Sequence, residues 1–303
     1  MSYPGTVDVY VETYNPAGTL ELSPQVLADE FTYVSCSQAY TTSSAIQLQS
    51  SGTAGGYIIS DANGVVSACG TALYYGAPSD PYGYDIITQS PQFGSPIVGI
   101  ATAPANQGYW EVDSEGHVYA FGFVNQYGDA STQPLTSAVV GIAADPSGTG
   151  YWITDANGDV FAYGSASFYG STGNLTLTRP VVGITSTSDG QGYWLVASDG
   201  GIFAFGDAGF YGSTGNITLN QPIVGMAATP SGAGYWLVAS DGGVFAFGNA
   251  NFYGSAYNFT NIGIPIGGPV VSITPTQDGG GYWIMTDNGN VLPFGDAPFE
   301  GTL

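Results

Sequence analysis

One histidine, one arginine and two cysteines stand among 23 acidic residues in this chain of 303, and that shortage limits the chemistry open to it. Nucleophilic catalysis of the serine or cysteine type needs an imidazole base beside the nucleophile. His117 is the sole candidate; it lies next to a tight turn, in the only repeat that carries one, and reads as a surface strand residue. Clamping a substrate carboxylate would take a cluster of arginines, and Arg179 stands alone. Paired carboxylates acting on a glycosidic bond remain open on numbers, but no unrepeated acidic motif singles out a pair. The residues therefore assign no catalytic group, and the chain is expected not to be an enzyme.

Three runs, Asp61-Ala62-Asn63-Gly64, Asp155-Ala156-Asn157-Gly158-Asp159 and Asp287-Asn288-Gly289-Asn290, alternate oxygen donors about a glycine as the opening of a calcium loop does. Each lacks the distal bidentate glutamate, and Ala197 and Ala239 stand where Asp61 and Asp155 align. A tight-turn reading covers all six copies, so no metal site is assigned and calcium is the one cofactor left open. Cys36 and Cys69 are expected to pair, tying the N-terminal segment to the first repeat. Tyrosines offer the remaining chemistry, because an aromatic face stacks on sugar C–H groups while Asp and Asn bond hydroxyls. Tyr169, Tyr211 and Tyr253 recur 42 residues apart, and Tyr82, Tyr84 and Tyr257 lie in the two longest inserts. All six are candidate ligand-binding residues; packing between repeats is the alternative use of the first three. The Asn-x-Thr triplets at Asn174, Asn216 and Asn258 read as loop residues copied by duplication.

These residues are positioned by repetition. A Gly-Tyr-Trp mark at Tyr109, Tyr151, Tyr193, Tyr235 and Tyr282 steps by 42, 42, 42 and 47 residues, and a Gly56-Tyr57-Ile58 variant precedes it by 52. A period of this size means that one supersecondary unit is stacked until its apolar faces are covered. In the copy that starts at Pro180, the runs Val181-Val182-Gly183-Ile184, Tyr193-Trp194-Leu195-Val196-Ala197, Ile202-Phe203-Ala204-Phe205 and Phe210-Tyr211 are separated by Gly, Asp and Ser. No helical spacing occurs, so the unit reads as a four-stranded antiparallel meander. Asn63-Gly64, Glu115-Gly116, Asn157-Gly158, Asp199-Gly200, Asp241-Gly242 and Asn288-Gly289 supply the turn between the second and third runs. Both faces of the middle strands are apolar, which requires a neighbour on each side. The predicted fold is all-β: a six-bladed β-propeller of four-stranded blades over 44–76, 96–131, 138–171, 180–213, 222–255 and 269–303, with an N-terminal arm, 1–43. The first run, smallest in side-chain volume, is placed innermost.

A net charge of −22 cannot neutralise phosphates, which excludes nucleic acid, and disfavours an anionic membrane surface. No apolar run of 18 residues occurs, so nothing is expected to insert in a membrane. The opening MSYPGTVDVYVETY has no charged and apolar signal regions, so either a signal was removed beforehand or export takes another route, such as release of virus particles. The absence of Lys, with the one Arg followed by Pro180, suits life outside a cell as well as it suits a biased composition. In the arm, Val7, Val9 and Val11 alternate with polar neighbours as a half-buried strand, Pro16-Ala17-Gly18 breaks it, and residues 31–36 form the next strand. The arm could lend the last blade a strand, form a partial seventh blade or dock on a partner; because the last copy runs through its own fourth run, an attachment is expected rather than a closing strand.

The run GYWLVASDGGIFAFGDAGFYGSTGN from Gly192 resembles the GYW-x-V-x-x-DG-G-[IV]-F-[AS]-FG repeats of actinobacterial secreted and cell-surface proteins, and more distantly tectonin-type and other lectin-like propellers. The likeness covers roughly 44–303, is closest in the third to fifth copies and absent from the arm. It implies a propeller scaffold and an extracellular setting, without a ligand. The functional expectation is a recognition or adhesion module for a surface glycan or protein partner, or else a structural part of a virion, such as a phage tail or capsid appendage, or of a surface layer, with the arm docking on its neighbours.

Overall fold

The computed structural model describes residues 6–8, 12–14, 20–22, 30–32, 36, 44–51, 55–78, 95–261, 263 and 265–302. Within them the chain builds six antiparallel sheets, one per repeat, each of three strands in sequence order. Sheet one is Ala45–Ser50, Gly56–Asp61 and Val66–Gly70. Sheet two is Ile97–Thr102, Gly108–Asp113 and Val118–Gly122, and sheet three is Val139–Ala144, Gly150–Asp155 and Val160–Gly164. Sheet four is Val181–Ser186, Gly192–Ala197 and Ile202–Gly206. Sheets five and six are Ile223–Ala228, Gly234–Ala239, Val244–Gly248 and Val270–Pro275, Gly281–Thr286, Val291–Gly295.

Every middle strand is buried along its whole length, as its two apolar faces require. The core accordingly lies between sheets. Trp194 and Val196 of sheet four pack on Tyr235 and Leu237 of sheet five, and a tryptophan against the next sheet's tyrosine recurs at every seam except that of sheets one and two, where Ile58 meets Tyr109. One seam joins the ends of the repeat array, where Tyr57 and Ile59 meet Trp283 and Met285. The first strands of all six sheets line a single narrow cavity of 90 Å³. Backbone bonds follow the same cyclic order: Val181 N donates to Ala156 O at 2.9 Å, Ile223 N to Ser198 O at 2.9 Å, and Ala45 N to Asp287 O at 2.7 Å.

Four-stranded propeller blades do not form, which corrects the expectation from the repeat. The fourth run, Phe210-Tyr211 in the fourth copy, makes no ladder with the third strand. Gly206, with φ +68°, turns the chain off the sheet edge, and a Cβ there would lie 2.2 Å from Gln191 O. Side chains then take up the backbone groups a ladder would have used. Trp194 Nε1 donates to Gly209 O at 2.7 Å, and the Tyr235 hydroxyl of the next sheet accepts from Tyr211 N at 3.1 Å and donates to Gly212 O at 2.6 Å. Sheets two, three, five and six repeat the tryptophan bond. Sheet one has Ile58 in its place, and there Asn106 brackets the outer segment instead, accepting from Leu73 N and donating to Thr71 O.

In the arm, Thr6–Asp8 pairs with Glu30–Thr32 and Glu12–Tyr14 with Leu20–Leu22. Val7 thus falls in a strand, opposite Phe31, whereas residues 9–11, 16–18 and 33–35 lie outside the described residues. No described arm strand joins any of the six sheets. Cys36 is bonded to Cys69, which sits in the third strand of sheet one opposite Tyr57. The insert after sheet five includes a short helix, Tyr257–Asn261, where the sequence suggested a loop. Among the described residues no helix is long and apolar enough to cross a membrane.

Replacing Tyr193 by Phe leaves Tyr169 N, Gly170 N and Gly170 O without their buried partner. The expected loss is about 1–3 kcal/mol, read as a lower midpoint in urea with an unchanged slope. An unchanged midpoint would mean that the hydroxyl contributes nothing to holding the repeats together.

Candidate functional site

Two of the three turns read as calcium-loop openings, at Asp61 and Asp155, are hairpins closed by their own aspartates, as is the turn at Asp113, whereas in the third Asn288 Oδ1 accepts from Asn290 N at 3.3 Å. Asp61 Oδ1 accepts from Asn63 N and Val65 N, Asp113 Oδ1 from Glu115 N and His117 N, and Asp155 Oδ1 from Asn157 N and Asp159 N, all within 3.0 Å. Where Ala197 and Ala239 replace that residue, Asp199 and Asp241 cap Gly201 N and Gly243 N instead. Among the described residues no group of three or more metal-ligating side chains converges. His117 places Nδ1 2.9 Å from Asp113 Oδ2, which also accepts from the Tyr119 hydroxyl. Sequence reading missed this small network, although the spacing of Asp113, His117 and Tyr119 along one turn was visible.

Of the candidate ligand-binding tyrosines, Tyr169, Tyr211 and Tyr253 lie at seams between repeats. Their rings pack 5.8, 5.7 and 5.7 Å from those of Tyr193, Tyr235 and Tyr282. Their hydroxyls donate to Gly190, Gly232 and Gly279 carbonyls of the following repeat. They share an environment type without meeting in one site. Tyr82 and Tyr84 lie outside the described residues.

Tyr257 is the candidate that the structure places in a cleft. The loop through Leu219, Asn220 and Gln221, which leads into sheet five, is the wall between two adjoining lobes. One lobe, of 260 Å³, brings Tyr257 and Asn258 from the short helix to Phe245, Phe252 and Asp241. Tyr257 is fixed there by its backbone N–H, which donates to Gly242 O at 3.2 Å. The other lobe, of 430 Å³, is lined by Arg179, Ser198, Asp199, Ile217 and Thr218 beside the same wall. Its floor is pinned by Thr214 Oγ1, which donates to Asp199 O at 3.1 Å, and Ile217 N, which donates to Thr214 O at 3.0 Å. The side chains of Arg179, Asn220 and Gln221 are exposed and make no hydrogen bond to any described residue. Phe252 and Tyr257 therefore share their lobe with Asn220 and Gln221, and Arg179 lines the adjoining one beside the same two amides.

Phe252 belongs to a wider pattern. Phe168, Phe210, Phe252 and Phe299 hold equivalent places in the outer segments of sheets three to six and are 60, 62, 56 and 51% exposed. In three of these segments the buried tryptophan and tyrosine contacts are made by the neighbouring residues, which leaves the phenyl group outside the packing. Sequence reading passed over this position because it looked like one more core aromatic.

No protein-family model matches the chain, and no curated protein matches it.

A buried carboxylate marks the seam between sheets one and two. Glu111 occupies the middle-strand position held by Ile59, Ile153, Leu195, Leu237 and Ile284 elsewhere. Ser60 Oγ donates to Oε1, while Oε2 and the neighbouring Asp61 Oδ2 are buried without a partner. Burial, followed by the Asp61 charge, pushes the Glu111 carboxyl up to about 8. Tyr109 and Tyr119 are the other titratable groups that sense it. A raised folded-state value stabilises fully below the ordinary 4.5 and is lost as pH rises through 8. Wild-type stability should therefore fall between pH 5 and pH 8 by on the order of 3 kcal/mol more than that of Glu111→Leu. Urea melts across that range measure it; parallel pH curves would show that Glu111 ionises freely in the fold.

Proposed function

We propose that this chain is a non-enzymatic recognition module working outside the cell, which binds surface glycans along the two-lobed groove beside sheet five. The observation that carries this reading is the meeting of Phe252 and Tyr257 with exposed amides whose donors the fold does not use. An aromatic face covers the C–H side of a sugar ring, while amide and carboxylate groups bond its hydroxyls. Exposed phenyl groups at the same place in three further repeats add weak contacts in parallel, so a repetitive ligand gains through effective concentration. The disulfide supports an oxidising compartment, as does the resemblance of the repeat to secreted and cell-surface sequences. The net charge of −22 keeps the module away from nucleic acid and anionic lipid.

A glycan array probed with the multimerised chain should show binding that Phe252→Ala and Tyr257→Ala each reduce by about tenfold, a loss the size of one stacked ring. A blank array at high valency would remove the glycan reading and leave a protein partner in its place.

A second reading makes the chain a structural part of a virion or surface layer that docks through residues 1–43. It is favoured by the arm's own pairing and by its covalent tether at Cys36–Cys69, which would hold a separate docking element against the sheets. Light scattering on chains with and without residues 1–43 is expected to show assembly only when the arm is present. Equal assembly by both would dismiss the arm as the docking element.

A further inference from the structure

Arg179 is the only Lys or Arg in a chain with 23 acidic residues, and electrostatics alone would lead a carboxylate to pair with it. None does: the one ion pair among the described residues is His117 with Asp113. The guanidinium makes no hydrogen bond to any described residue while lining the 430 Å³ lobe of the groove. Asn220, Gln221 and Thr218 line the same lobe, and Ile217, 54% exposed, gives it an apolar patch. The corresponding place one repeat later is Gln221, also followed by proline, so neither the turn nor the sheet needs an arginine there.

Building on the glycan reading, we infer that Arg179 makes this lobe selective for sugars bearing a single acidic group, a carboxylate, sulfate or phosphate ester. A guanidinium meets such a group through two parallel charge-assisted hydrogen bonds, which an amide cannot supply. The amides of Asn220 and Gln221 bond neighbouring hydroxyls, and Ile217 covers an apolar edge of the ring. Asp199, which lines the same lobe with one oxygen held by Gly201 N, repels a second negative charge placed next to the first. Beyond about 8 Å salt screens the remaining acids under physiological conditions, but a densely charged polymer carries its anions inside that distance. Sparse acidity is therefore admitted and polyanions are turned away.

The test is an array carrying neutral glycans, their uronate-, sulfate- and phosphate-bearing counterparts, and a fully sulfated polysaccharide, probed with wild type and Arg179→Gln. Wild type should prefer singly acidic members over their neutral counterparts by about tenfold and ignore the polyanion, the size of one charge-assisted contact. Arg179→Gln should lose that preference and bind acidic members no better than their neutral counterparts. The three acidic arms report which ester or acid is taken. Equal binding of neutral and acidic members by wild type, a preference that survives in Arg179→Gln, or strong capture of the polyanion would overturn the inference while leaving glycan binding intact. Binding to no member would take down the glycan reading and this inference together.

Discussion

The structure depends on a buried tyrosine hydroxyl that serves two repeats at once. Tyr193, Tyr235 and their counterparts stand in the middle strand of one sheet, yet their hydroxyls bond the backbone of the segment that ends the sheet before. Burial raises the pKa of each, so the hydroxyl stays protonated and keeps its donor. An unpaired amide or carbonyl in that seam would cost more than the bond itself returns. Each repeat is thus completed by the next. Tyr57 applies the same device to Gly301 at the opposite end of the chain, which is why the packing order of the sheets returns to its start.

That clamp also explains why the outer segments are free to carry surface chemistry. A fourth strand would have pointed alternate side chains at a neighbouring sheet. A segment held by tryptophan and tyrosine side chains instead exposes Phe168, Phe210, Phe252 and Phe299. The loop after sheet five is longer than its counterparts after sheets three and four, and the groove arises where its Tyr257–Asn258 come beside Leu219–Gln221. Function is then a property of variable connections on a uniform frame.

The seams that depart from the common pattern are each compensated differently. Sheet one lacks the tryptophan bond, and its outer segment is held by Asn106 while Cys69 takes the covalent tether from the arm. Where Gly183 has the counterparts Gln47 and Ser272, those side chains bridge first strands: Ile100 N donates to Gln47 Oε1 and Leu48 N to Ser272 Oγ. Glu111 is the exception, since it puts a carboxyl among aliphatic positions with only Ser60 to satisfy it.

From the sequence alone, the period of the Gly-Tyr-Trp mark determined six like units, the Asn/Asp-Gly pairs determined the hairpins, and two-faced apolar strands determined that sheets pack on sheets. Those are local or periodic properties, and any fold of this chain must respect them. Cys36 with Cys69 was legible for a simpler reason: two thiols leave one pairing. What Phe210 and Tyr211 do was not legible, because an aromatic pair between glycines has the composition of a strand whichever groups its backbone bonds to. Only the position of the next repeat's tyrosine decides that the backbone bonds go to side chains, that Tyr211 packs on Tyr235 at the seam and that Phe210 is left outside. The groove was hidden for the same reason: Arg179, Asn220 and the Phe252–Tyr257 stretch come from three different repeats, and nothing but packing between repeats brings them together.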